Sequence, residues 1–335
     1  MAKAKERKGN GRSRVLAKLA RSIRLSEPFI EKAELLKKKT VQTTRVFKRN
    51  RMGMLGLVIL MVFIIMAIFP AQIMCVLSVI GGWEHPYGPF DEVATIGMGI
   101  APSSEHWLGT DLRGNDILAR TIYGARVSLT IGVVATVVSM GLGALVGLLS
   151  GFWGGWRDEA LMRITDVFLV LPWLVLMIVL AAVLPGGASV GKIIMVIGIT
   201  GWSSTARIVR AQVLSIKKRA FIERARAVGA GDLHIVRKHI FPNVFPLIFA
   251  NSILTVALSI LSESTLSFIQ LGPNATQVVT WGNMLDDAIT KAHAIENGLL
   301  LWVIVPGVCI VLVVLGFTFI GYALDEIFNP KLRKR

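Results

Sequence analysis

The sequence predicts an all-α membrane protein with six transmembrane helices, and three observations predict it. Long apolar runs recur along the chain. Lys and Arg collect in blocks between those runs. A hydrophobic content of 53% coexists with a net charge of +16, which a water-soluble domain rarely combines. Crossing about 30 Å of hydrocarbon takes about 20 residues. Every backbone amide in lipid must be paired within its own segment, so such runs are helices.

The first span is expected at about Met54–Ile80, read as an uncleaved signal anchor. The basic stretch ahead of it is too long for a cleavable signal peptide, and no small-residue cleavage site follows. The second span is expected at about Ala125–Ser150 and the third at about Leu161–Leu184. The fourth, at about Lys192–Ser215, is membranous only up to Arg207. The fifth is expected at about Asn243–Phe268 and the sixth at about Leu299–Ala323. Cys75 and Cys309 both lie inside apolar runs, so no disulfide framework is indicated.

An even number of spans puts both termini on one side. That side collects 32 of the 37 Lys and Arg residues, including the leader, the stretch from Arg207 to His239 and the tail "PKLRKR". The positive-inside rule therefore makes both termini and the Arg207–His239 stretch cytoplasmic. The loops Gly81–Gly124 and Gly272–Asn297 face outside. In the leader, Val15, Leu16, Leu19 and Ile23 share one helical face. Phe29, Ile30, Ala33 and Leu36 share another, with Ser26 as N-cap and Pro28 in the first turn. A basic amphipathic leader suits anionic membrane lipid; a partly disordered tail that only fixes topology is the other reading. No nucleic-acid recognition motif accompanies the basic residues.

"GGASVGK" at Gly186–Lys192 has the glycine and lysine spacing of a phosphate loop, but Ile193 stands where a Ser or Thr must meet magnesium. A tight turn between two spans is the expectation, and the chain is not expected to be an enzyme or to bind ATP itself. His85, His106, His234, His239 and His293 form no zinc pattern, so neither a metal nor another cofactor is expected. Gly143, Gly147, Gly151 and Gly155 repeat every four residues, a stripe that admits a neighbouring helix closely. In the fifth span Ser252, Thr255, Ser259 and Ser262 fall on one helical face, with Glu263 beside the last. Such hydroxyls can bond to their own backbone. An acid at the end of the stripe is costly in lipid, which points to a partner face or a wetted pathway. Asp166 is similar, unless it sits at the interface beside Arg163.

The polar stretch "IERARAVGAGDLHIVRKHIFPN" (Ile222–Asn243) separates two apolar runs. A short helix is expected over Arg219–Val228, with Phe221, Ala225 and Val228 on one face. Gly229 should end it in the left-handed conformation. Asp232 should cap a second helix beginning at Leu233, and Pro242 should break the pattern before the fifth span.

"ERAxxxG" at Glu223–Gly229, with Pro242 thirteen residues after the glycine, resembles the cytoplasmic EAA loop of ABC importer permeases. "HWLGTDLRGNDILARTIYGARVSLTIG" (His106–Gly132), "GGWRDEALMRITDVFLVLP" (Gly154–Pro172), "GWSSTARIVRAQVLS" (Gly201–Ser215) and "SESTLSFIQLG" (Ser262–Gly272) are similar, in order and spacing, to the C-type subunits of the dipeptide/oligopeptide/nickel permeases. Arg224 departs from the family's usual alanine, His239 and Phe241 from its usual Ile and Leu, Asn115 from an arginine and Gln270 from a glycine.

The resemblance implies a type I ABC importer permease fold in the cell membrane with a cytoplasmic coupling helix. Ahead of the matching part, which runs from about Phe47 to the C-terminus, the charge asymmetry gives a basic cytoplasmic segment over 1–50; the resemblance implies a first transmembrane helix with its extracytoplasmic loop over 51–124. A core of five helices would follow over 125–323, carrying the coupling loop 207–242, with a cytoplasmic tail over 324–335. Glu223, Ala225, Gly229, Asp232 and Pro242 would form the ATPase-coupling loop. Ser252, Thr255, Ser259, Ser262 and Glu263 would line half of a peptide pathway. The implied partners are a second, B-type permease subunit, two cytoplasmic ABC ATPases that bind the ATP, an extracytoplasmic solute-binding protein and membrane lipid, with no nucleic acid. Nickel or an oligosaccharide is the alternative cargo, because the binding protein selects the solute. A stand-alone secondary transporter is the alternative class.

Overall fold

The computed structural model describes residues 46–83, 85–92 and 99–328. The amphipathic leader and the "PKLRKR" tail lie outside the described residues. Among the described residues the regular structure is helical, apart from the isolated bridges Glu92–Asn115 and Thr110–Asp116.

Among the described residues four helices are long and apolar enough to cross a membrane, and a bent pair brings the number to five if it counts as one span. The first apolar run is two helices, α1 (Arg51–Ile68) and α2 (Pro70–Gly81), rather than one expected span. The break falls where Pro70 has no N–H to return to the preceding turn and opens the next helix instead. The second span lies within α3 (Ile117–Trp153), whose 37 residues reach about 55 Å at 1.5 Å per residue.

The expected third span is α4 (Gly155–Val170) followed by α5 (Trp173–Val183), bent by 96°. Leu171 and Pro172 at the bend have extended backbones. The expected fourth span is likewise two helices, α6 (Val190–Thr200) and α7 (Trp202–Lys217), interrupted at Gly201. The fifth and sixth spans are α10 (Phe241–Phe268) and α12 (Leu300–Phe328). Each continues through an internal proline, Pro246 and Pro306.

α3 is the axis of the fold. Its glycine stripe lies against α7: a Cβ at Gly143 would meet Thr205 and Trp202, one at Gly147 would meet Ala206 and Val209, and one at Gly151 would meet Val213, all at 2.6–2.8 Å. Only glycine lets the two backbones approach so closely. Gly155 does not extend the stripe; its φ of +60° opens α4 away from the contact. "GGASVGK" is a turn: Gly186 and Gly187 have φ of +115° and +61°, and Ser189 accepts from Lys192 N at 3.4 Å to cap α6.

Two apolar cores sit at opposite ends of the bundle. One joins Leu60 and Phe63 to Ile260, Trp281, Met284 and Trp302, under the long loops. The other joins Phe152, Val213 and Ile216 to Ile222, Ile235 and Ile240. The second core roots the polar stretch to the membrane spans.

Candidate functional site

The polar stretch forms a bracket. α8 (Ala220–Ala227) follows α7 after one turn, and α9 (Asp232–Ile235) leads through a π turn (Val236–Ile240) into α10. Gly229 has φ +86°, Gly229 N donates to Arg226 O at 2.9 Å, and Ala230 N donates to Ala225 O at 3.0 Å. This pair of bonds is a Schellman closure, which satisfies carbonyls that the helix end would leave free. The expected glycine stop is therefore present, one residue beyond the helix C-cap.

The apolar face differs from the expected one. Ile222 and Ile235 are buried and anchor the bracket, Phe221 and Ala225 are half-buried beside them, and Val228 is 89% exposed. Val228 lies past the last helical residue, so a helical spacing cannot place it. Asp232 does not cap by its side chain: Gly231 is the N-cap, and Asp232 is the first helical residue. Its charge still suits the positive helix end. Pro242 does not break the chain before α10. The π turn bonds Phe241 N to Val236 O, and Pro242 enters at the start of α10, where a missing N–H costs little.

Among the described residues no salt bridge or side-chain hydrogen bond engages Glu223. It stands exposed in the first turn of α8. The outer surface of the bracket carries Arg219, Arg224, Arg226, Arg237 and Lys238 around two exposed apolar residues, Val228 and Leu233 (74% exposed). Lys217 ties the bracket to α3 by donating to Phe152 O at 2.5 Å. Arg210 grips Asp158 through two bonds of 2.6 Å, and Arg207 reaches Asp166 at 2.5 Å. Asp166 thus pairs with α7, while Arg163 pairs with Glu159 at 3.5 Å.

The expected pathway stripe on α10 divides. Ser252, Thr255 and Ser262 donate to Phe249 O, Asn251 O and Leu258 O on their own helix. Ser259 meets Thr136 of α3 at 3.1 Å. Ser262 and Glu263 are buried inside the chain rather than on an open face. Glu263 accepts from Ser128 at 3.0 Å, Ser267 at 2.8 Å and Ser264 at 3.4 Å. Ser128 in turn accepts from Trp281 N at 3.3 Å, so the acid binds α3, α10 and α11 (Trp281–Asp286) together. Thr255 and Ser259 border a cleft of about 200 Å³ reached by α3, α4, α5, α6, α7 and α10.

A further polar cluster closes the loop end. Arg120, fully buried, pairs with Asp111 and reaches Asp287 at 3.4 Å. Asp111 also accepts from the amides of Arg113 and Asn115 and from Asn115 Nδ2. Lys291 bridges Asp286 and Asp287 at 2.9 and 2.6 Å. These ion pairs outweigh burial and hold its ammonium above the usual lysine range. His106 meets Asp116 at 3.0 Å, and Asp116 caps α3 by accepting from Ala119 N at 2.8 Å. Burial pushes the Asp116 carboxyl above the ordinary range. The motif His106–Gly132 holds Asp111, Asp116 and Arg120, and those two acids beside an arginine were the available signal for the ion network. Among the described residues no three His, Cys, Asp or Glu side chains are grouped to hold a metal.

A bundle of apolar helices with a rooted, basic, exposed bracket defines a multi-pass membrane protein. The chain belongs to the binding-protein-dependent transport system inner membrane component family, whose model matches residues 143–334. The model of the N-terminal transmembrane domain of oligopeptide transport permease C matches residues 40–98. The oligopeptide transport system permease protein OppC of Bacillus subtilis is 36% identical over 86% of this chain and 88% of that protein. The dipeptide transport system permease protein DppC of the same organism is 35% identical over 88% of this chain and 87% of that protein. Among solved structures, a chain of the MetNI methionine ABC transporter covers 64% of this chain and 95% of its own length, at 19% identity and a TM-score of 0.49. The chain is a permease component of an ABC importer.

Proposed function

We propose that this chain is one of two permease halves of a peptide importer and takes its driving force through the bracket. The similarity to the oligopeptide and dipeptide permeases along most of the chain carries this reading. The bracket is the part suited to a force-bearing contact: it is rooted by Ile222 and Ile235 and closed at Gly229. Two cytoplasmic ATPases bind and hydrolyse the ATP, a homologous B-type permease supplies the other half of the pathway, and an extracytoplasmic binding protein selects the solute. Glu223, Ala225, Gly229 and Asp232 face or shape the ATPase contact, and Pro242 fits the bracket's return to the membrane. Ser252, Thr255 and Ser259 belong to the pathway; Ser262 and Glu263 hold the half-pore's shape.

Purification of the complex from native membrane tests the reading. A peptide importer brings down an ATPase, a second permease and a binding protein that retains a peptide. A binding protein that retains nickel or an oligosaccharide would redirect the cargo, and a chain purified without an ATPase would end the importer reading. Orientation is checked with single cysteines at Ser103 and Ser215 and an impermeant thiol reagent on intact cells. Labelling at Ser103 alone is expected; labelling at Ser215 alone would reverse both termini.

A further inference from the structure

A groove opens where α3 ends and α4 begins. Leu149, Trp153, Trp156, Arg157, Ala160 and Leu161 line a space of about 350 Å³. Phe152 fixes which end of the bundle this is: Lys217 of the bracket side donates to its carbonyl, and the Arg226 guanidinium lies 5.8 Å from its ring centre. The groove and the bracket therefore share one end. Trp156 is 77% exposed, and Trp153 is partly exposed. Open indole rings at the end of a span suit the boundary between hydrocarbon and water, where tryptophan collects.

The groove is charged at one end and apolar at the other. Arg157 is exposed, and among the described residues no carboxylate pairs with it. The acids beside it are engaged elsewhere: Arg210 holds Asp158 at 2.6 Å, and Arg163 meets Glu159 at 3.5 Å. The start of α4 adds positive dipole and amides without helical partners. No side chain caps it at Gly154, and a Cβ added at Gly154 or Gly155 would meet nothing within 4 Å. In the other direction Leu145 and Leu142 follow Leu149 along one face of α3, at steps of four and three, and both are exposed. That face points away from the glycine stripe packed on α7. It carries the apolar track about 10 Å further into the span at 1.5 Å per residue.

We propose that this groove is a binding site for a phospholipid with a net negative headgroup. A water-soluble partner cannot follow the leucine track into hydrocarbon. A second membrane helix can follow it, but it brings no anion to Arg157 or to the open amides of α4. A phospholipid has both parts in the right order. Its phosphate meets Arg157 and the start of α4, a charge-assisted contact that guanidinium makes well. One acyl chain enters between Ala160 and Leu149 and lies along Leu145 and Leu142. The inference needs only that the chain spans a membrane, and it goes beyond the cargo and the ATPase contact proposed above.

The test uses the full chain, with whatever subunits purify with it in mild detergent. It is titrated with dioleoyl phosphatidylglycerol, an anion, and with dioleoyl phosphatidylcholine, which has the same acyl chains and no net charge. Native mass spectrometry counts the lipid retained per copy of this chain. Phosphatidylglycerol should bind about fivefold more tightly, the factor that about 1 kcal/mol per basic group near a membrane surface gives. Arg157→Gln should remove that preference. Ala160→Trp changes an exposed residue, fills the groove without altering charge, and should remove the bound lipid. Arg163→Gln, on the same helix but paired with Glu159, should leave both affinities unchanged. Equal affinity for the two lipids in the wild type would show an unselective lipid shell. A loss in Arg163→Gln as large as that in Arg157→Gln would show diffuse surface charge. A wild-type groove that takes neither lipid would show that a subunit already covers it. Each of these three results overturns the site.

Discussion

The bracket and the loop-end cluster are both polar, and they handle charge in opposite ways. The bracket exposes Arg219, Arg224, Arg226, Arg237 and Lys238 and roots itself through apolar anchors. The loop-end cluster buries Arg120, Asp111, Asp286 and Asp287 and roots itself through ion pairs. An exposed charge is available to a partner and contributes little to folding. A buried pair is expensive to break, because one partner's loss strands the other's charge. The comparison separates two uses of charge: the bracket leaves its charges open to solvent, and the loop end pairs its own in the interior.

The largest expected effect lies at the loop end. Arg120→Met fills similar space but strands Asp111 and Asp287 without their buried guanidinium. It should cost about 3–5 kcal/mol, enough to depress the yield of folded chain and its unfolding temperature in detergent. Near-normal stability would show that the cluster is not the anchor of this end, and the contrast with the bracket would weaken.

The bracket should fail differently. Gly229→Val forces a β-branched residue to φ +86° and should cost on the order of 1–2 kcal/mol. Its main consequence should be loss of the ATPase on co-purification. Glu223→Lys removes no contact within the chain, so the unfolding temperature should not move while the ATPase is again lost. Wild-type transport and full ATPase retention in both variants would show that the bracket is not the coupling element.

A smaller effect lies at Gln270. Its φ is +65°, and its side chain donates to Asp286 at 3.2 Å. Gln270→Gly relieves the left-handed strain and forfeits that bond, terms of about 1 kcal/mol each. The unfolding temperature should therefore barely change. A large loss would show that the bond to Asp286 is part of the ionic anchor.

Local features were the legible ones. Apolar runs gave the spans, because hydrocarbon thickness and backbone pairing act on each segment alone. The glycine spacing gave the α3–α7 contact, and Gly229 gave the bracket's turn, because both follow from the missing Cβ. The breaks were read through. Pro172 ends a helix at a 96° bend, whereas Pro246 and Pro306 sit within continuous ones. The proline is the same in each case, so a proline alone does not decide between a bend and a continuous helix. The buried ion network around Arg120 was not legible as a whole because one partner, Asp287, lies 167 residues away in sequence. Glu263 was placed on an open face because helical spacing gives a direction but not what stands there; Ser128 and Trp281 come from other elements.

An effect that is small near neutral pH and is read in the pH profile is expected at Asp116, where the loop end meets α3. Its carboxyl is fully buried, caps α3 and accepts from or shares a proton with His106. Burial raises its folded pKa above the unfolded value of 3.8. The folded state then binds the proton more tightly than the unfolded chain. Stability at this residue should fall as pH rises from about 3.8 through the folded pKa, and should be level above it. Asp116→Asn keeps an oxygen to cap Ala119 and removes the charge that burial disfavours. It also gives up the carboxylate facing His106, a loss of about 1.5–3 kcal/mol for a hydrogen bond to a charged group. The two changes oppose each other, so stability near neutral pH should shift by no more than about 1 kcal/mol. The fall between pH 3.8 and the folded pKa should disappear from the unfolding temperature profile. A variant that keeps the wild-type profile would assign that fall to another buried acid. A loss as large as that of Arg120→Met would make Asp116 a member of the ionic anchor rather than a helix cap beside it.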